Sequence, residues 1–160
     1  MRVRPGDIPV GPVSKRRRRA PSRLEGEAEA NAAARLWPED IAAMRSALEA
    51  QRVSSAAADA QEVIAANRRF HFALLDRCDN EWLLRFVTQL WEALEPHRAL
   101  SYRRAAAAGD PARSEAILTE HEAIIDALES GGTAHALDLM AAHRTAGRSD
   151  FHRLLGRPAD

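Results

Sequence analysis

The 160 residues include one cysteine, one tyrosine, three tryptophans and four phenylalanines. A lone Cys78 excludes an internal disulfide framework, so a reducing compartment, the cytoplasm, is the expected location. No apolar run approaches the ~20 residues that a membrane-spanning helix needs. No apolar stretch follows the basic start, as a signal peptide would require. A membrane is therefore not an expected partner. Period-two alternation is missing too, which removes the signature of half-buried strands. There is also no repeat of roughly 20–50 residues that would mark a solenoid. What is present is a chain 46% hydrophobic but only 5% aromatic, rich in alanine, the strongest helix former. A soluble all-α protein follows, with enough length for one domain and a real core.

The formal net charge of zero conceals two unlike parts. Residues 1–23 hold eight cations (Arg2, Arg4, Lys15, Arg16, Arg17, Arg18, Arg19, Arg23) against Asp7 alone, a net +7. The remainder holds 15 cations and 22 anions, a net −7. Five prolines or glycines precede Ser14 and no helical period is visible, so residues 1–23 read as a disordered basic arm. The helical domain is expected over 24–155, with 156–160 as a tail.

Six helices are predicted. The first is an alanine- and glutamate-rich stretch from Leu24 to Ala34. Pro38 suits the first position of the second, with Glu39 and Asp40 at the positive end of its dipole and Trp37 as a poor cap. Ser54-Ser55 reads as its end, and a third helix should run from Ala57 to Cys78. Asp79-Asn80 starts a fourth at Glu81, with a kink expected at Pro96. Gly109-Asp110-Pro111 is a stop and a start, and the fifth helix then runs to Ser130. Gly131-Gly132 ends it, Thr133 is the expected cap, and the sixth continues to about Leu155. Short loops between six helices imply an antiparallel bundle.

Six histidines divide by position. His71 lies in the stripe Ile64, Asn67, His71, Leu74, Cys78; His121 in Ile117, His121, Ile124, Leu128; His143 in Ala136, Met140, His143, Gly147. Each sits on the face its helix should bury, and each is on a different helix. One such residue alone reads as a core histidine bonded to a neighbour. Three would each pay desolvation without a common partner. Bundle interiors build metal sites from facing helices in this way, and Asn67, one turn before His71, can offer a fourth ligand atom. Both readings stand on spacing alone. His97, His135 and His152 read as solvated.

The ordered series Asn67-Arg-Arg-Phe70-His71, Cys78-Asp-Asn80-Glu-Trp-Leu83, Leu90-Trp91, Glu120-His121-Glu-Ala-Ile124 and Ala136 with His143 resembles the FCD effector-binding domain of GntR-type transcription regulators. The resemblance covers about 24–155. It implies a helical bundle, a homodimer, and a divalent metal held by an aspartate and three histidines. Here His71, His121 and His143 stand at the histidines and Asn67 at the aspartate. Zinc is the first expectation, with nickel or another transition metal as alternatives, and a small carboxylate is the implied effector. The sequence departs from the family where Gly131-Gly132 replaces a Gly-Asp. The family's winged helix-turn-helix precedes the domain, whereas only 23 residues precede Leu24 here. DNA contact is thus expected only through a missing module, or weakly through the arm.

Trp91, Leu94, Arg98 and Tyr102 share one face of the fourth helix, which makes Arg98 a candidate clamp for a ligand carboxylate. The alternative is an arginine whose stem packs while its head reaches solvent. No catalytic residue is assigned. A three-histidine metallohydrolase is the competing enzyme reading, weakened because Glu120 and Glu122 should point away from the His121 face. A structural bundle with a nucleic-acid-binding arm is the other alternative.

Overall fold

The computed structural model describes residues 20–108 and 111–154. Its six helices are α1 (Ala20–Ala33), α2 (Pro38–Ala56), α3 (Ala60–Leu75), α4 (Glu81–Ala108), α5 (Ala112–Glu129) and α6 (Thr133–Leu154). No strand occurs among the described residues, which agrees with the all-α expectation. No helix among them is long and apolar enough to cross a membrane. The arm's first 19 residues, the Gly109-Asp110 stop and the expected 156–160 tail lie outside the described residues.

The helix borders show which local signals won. Helix α1 starts at Ala20, four residues before Leu24, so the last residues assigned to the arm are helical. Pro21 falls in its first turn, where a missing N–H costs nothing. At α2, Trp37 caps without a side-chain bond, and Asp40 instead accepts the Trp37 backbone N–H at 2.8 Å. Ser54-Ser55 does not end α2, which continues to Ala56. The Ser54 hydroxyl donates to the Ala50 carbonyl at 2.8 Å, one turn back, and so stays within the helix instead of competing with it. The break comes at Ala58, whose φ of 55° is left-handed, and Asp59 then caps α3 by accepting the Glu62 N–H at 3.1 Å. Helix α3 stops at Leu75, short of Cys78. Helix α4 runs through Pro96 as one element. Gly131 takes φ of 76° at the end of α5. Thr133 lies inside the first turn of α6 rather than capping it; the Gly132 carbonyl accepts the Ala136 N–H at 2.9 Å.

Helices α2 and α3 pack on each other most extensively, α5 packs on α2 and α6, and α1 closes against α4 and α6. Phe70, Met44, Leu74, Leu75, Ile124 and Ile125 are the largest apolar side chains fully buried between them. Phe70 joins that layer to the histidines, its ring lying against those of His71 and His121.

Candidate metal centre

The apolar stripes deliver three imidazoles to one point. His71 comes from α3, His121 from the middle of α5 and His143 from α6; the first two are buried and the third is half-buried. Their ring centroids are 5.2 Å apart for His71–His121, 5.2 Å for His71–His143 and 4.8 Å for His121–His143. One ring nitrogen from each lies within 4.8 Å of the other two. The Phe70 ring stacks on His121 at 3.8 Å and 9°, which fixes the imidazole plane. Trp91 lies 4.9 Å from His71 and closes that side.

Hydrogen bonds at the outer nitrogens determine what the inner ones can do. Gln51 Oε1, from α2, lies 3.0 Å from His121 Nδ1. A carbonyl oxygen can only accept, so Nδ1 carries the proton and Nε2 keeps its lone pair. That Nε2 is buried with no hydrogen-bond partner among the described residues. Leaving such a group unsatisfied costs about 1–3 kcal/mol. His143 Nδ1 donates to Glu120 Oε2 at 2.5 Å, and Glu120 Oε1 accepts from Arg113 at 2.8 Å. Burial is the largest effect on Glu120 and raises it, but the bonds from His143 and Arg113 hold it below the ordinary carboxylate range.

Burial, foremost, drives both His71 and His121 well below the usual imidazole range; neighbouring histidine and arginine charges push the same way. Both are therefore neutral near pH 7, the form that ligates metals. Asn67 is 6% exposed, one turn before His71 on the same face, and has no hydrogen-bond partner among the described residues. Arg98 projects over the Trp91 ring at 3.8 Å and donates to the Trp91 carbonyl at 3.1 Å. Its burial pulls it below the normal guanidinium value, and its charge acts on His71. Tyr102, one turn further, is pushed up to about 12, mainly by burial, and accepts from Gln51 Nε2 at 3.5 Å.

His97 and His135 are exposed, as expected, and the His152 side chain lies outside the described ones. Gly147, expected to continue the His143 stripe, is exposed. Two residues at the site had gone unassigned. Gln51 follows Met44 and Leu48 at helical spacing, so a polar residue in that stripe was the available signal. Glu120 does point away from His121, but toward His143 on the next helix.

An open cleft of about 550 Å³ lies elsewhere, lined by residues that include Arg35, Trp37, Arg77 and Cys78. It contains none of the histidines, and its arginines are already paired, Arg35 with Asp79 and Arg77 with Asp40.

The histidine set fits a transition metal. Two nitrogens on one tetrahedral zinc lie roughly 3.4 Å apart, a short approach from the spacing here. The bare Nε2 of His121 is the clearest sign, since a metal would satisfy it. Three imidazole donors also suit first-row ions better than magnesium or calcium, which favour oxygen.

A family model described as the FCD domain matches residues 19–146. The fold is similar to that of E. coli McbR/YncC, with a TM-score of 0.74 and 22% identity, covering 89% of this chain and 68% of that one. No match was found among curated proteins.

Proposed function

This chain belongs to the FCD domain family, the effector-binding part of GntR-type regulators, and on that footing we propose that it senses a small carboxylate through a divalent metal held by His71, His121 and His143. Zinc is the ion that three imidazole donors suit best, with nickel or another first-row ion possible on the same donors. Asn67 supplies the fourth protein ligand, and the effector carboxylate takes a remaining position on the ion. Arg98, anchored on Trp91, pairs with the same or a second carboxylate of the effector. The family reading adds a homodimer in the cytoplasm.

The observation that supports this most directly is the buried Nε2 of His121, without a partner among the described residues, in a cluster of three converging rings. A regulatory site is favoured over a hydrolytic one because Glu120 is already committed to His143 and Arg113. That leaves no free general base on the histidine cluster among the described residues.

Calorimetry with a panel of small mono- and dicarboxylates tests the reading. Zinc-loaded protein should bind at least one of them about tenfold or more tightly than metal-free protein, a difference of ~1.4 kcal/mol. Arg98→Ala should weaken that binding by a similar factor. Equal affinity in the presence and absence of metal would contradict the proposal.

A further inference from the structure

We infer that Gln51 is a positioning residue: it sets the tautomer of His121 and links that ring to Tyr102 on α4. Gln51 is 1% exposed, and an amide at that depth is costly unless both its ends are bonded. Both are. Oε1 faces His121 Nδ1 at 3.0 Å, and Nε2 donates to the Tyr102 hydroxyl at 3.5 Å. As the amide stands, its oxygen accepts at His121 and its N–H donates to Tyr102. The reversed orientation would set an N–H against Nδ1, forcing the proton onto His121 Nε2 and removing its lone pair. Stacking on Phe70 holds the His121 ring in one plane. Among the described residues, His143 is held by a carboxylate instead and His71 by no hydrogen bond, so the three ligands differ in how they are supported.

Tyr102 completes the arrangement. By accepting from Gln51 it leaves its own proton available, one turn from Arg98 on the same helix. A change at the histidine cluster can thus reach the helix that carries Arg98 through a single amide. The effect on metal affinity rests on the proposed metal site; the effect on the tautomer does not.

Histidine-labelled nitrogen NMR on the full chain, with metal removed by chelator and pH held near ~8, reads the tautomer directly. The unaltered protein should show His121 protonated at Nδ1 and bare at Nε2. Gln51→Glu, which as a carboxylate can only accept, should preserve that state. Gln51→Leu should give a mixture, and its zinc affinity, measured by chelator competition, should fall about 10–100-fold. Tyr102→Phe, which frees the amide to turn, should also give a mixture. A single Nδ1–H tautomer in Gln51→Leu, with zinc affinity within about twofold, would overturn the inference. Should Gln51→Leu fail to fold, an Nε2–H population in Gln51→Glu, or an unchanged tautomer in Tyr102→Phe, overturns it equally. If the unaltered protein binds no zinc, the metal site is refuted while the tautomer measurements still decide the role of Gln51.

Discussion

A neutral amide at position 67 changes the electrostatics of the proposed site by one full unit. Three imidazoles and an asparagine leave a divalent ion at +2, where an aspartate would leave +1. Metals prefer the charged oxygen, while an anionic effector prefers the more positive ion. A unit charge at ~4 Å is worth up to about 4 kcal/mol at an effective dielectric near 20, before screening. Asn67→Asp is therefore expected to tighten zinc binding, weaken carboxylate binding and reduce the coupling between them, all measurable by calorimetry. Tightening of both, or no change in either, would make Asn67 a packing residue. The histidines also carry a pH prediction for the metal-free protein. His71 and His121 are held well below the usual 6.5 in the folded state. Below that value the unfolded chain binds more protons than the folded one, so stability rises with pH and is lost on acidification. The unfolding free energy from urea titration should be flat above pH ~7 and fall below ~6, by up to about 1.4 kcal/mol per pH unit for each ring. His121→Leu should flatten the dependence. At this scale the histidines were legible because each interrupts an apolar stripe. Glu120 was not, because its neighbour His121 said nothing about the ring on the next helix.

Helix borders were legible at Pro38 and Gly131, and misread where serine had two options. Ser54 bonds back to Ala50 and keeps α2 intact, so the turn shifts to Ala58. That displacement has measurable consequences. A left-handed alanine is strained by about 1–2 kcal/mol, partly offset by the roughly 0.5–1 kcal/mol of extra freedom glycine gives the unfolded chain. Ala58→Gly should thus stabilise the protein by about 0.5–1 kcal/mol, seen as a rise in the urea midpoint. Asp59→Ala removes the side-chain cap on α3 and should cost about 1 kcal/mol. Because α3 carries Asn67 and His71, the same change tests whether cap and site are coupled. Zinc affinity unchanged in Asp59→Ala would mean that the core, rather than the cap, holds the ligand-bearing turn. Pro96 lies inside α4, as expected, and the helix continues past it. That continuity keeps Arg98 and Tyr102 in register with Trp91.

Across the whole molecule, the stripes specified which faces meet, and hence the bundle and the histidine cluster. They did not specify the polar contacts that join distant helices. Glu29, 2% exposed on α1, pairs with Arg144 on α6, and Gly26 leaves room for that guanidinium, since a Cβ there would lie 3.0 Å from Arg144 Nη2. Trp91 Nε1 donates to Glu25 at 2.8 Å, which ties α4 to α1. Such pairs depend on three-dimensional proximity that no single helix pattern encodes. The basic segment is a separate object: with +7 over residues 1–23, it is expected to bind DNA weakly and without sequence preference. Each phosphate contact contributes about −0.9 to the slope of log affinity against log salt. Deleting residues 1–19, just short of α1, should abolish that binding in a gel-shift titration. Sequence-selective binding that survives the deletion would reveal a DNA-reading surface on the bundle itself.

The central claim is that three helices converge on one metal ion, and elemental analysis of the purified full chain tests it most directly. The unaltered protein should carry about one divalent transition metal per protomer. His121→Ala should lose most of it, while His135→Ala, altered at an exposed position, should keep it. Equal metal content in the two variants, or none in the unaltered protein after reconstitution with zinc, would contradict the claim.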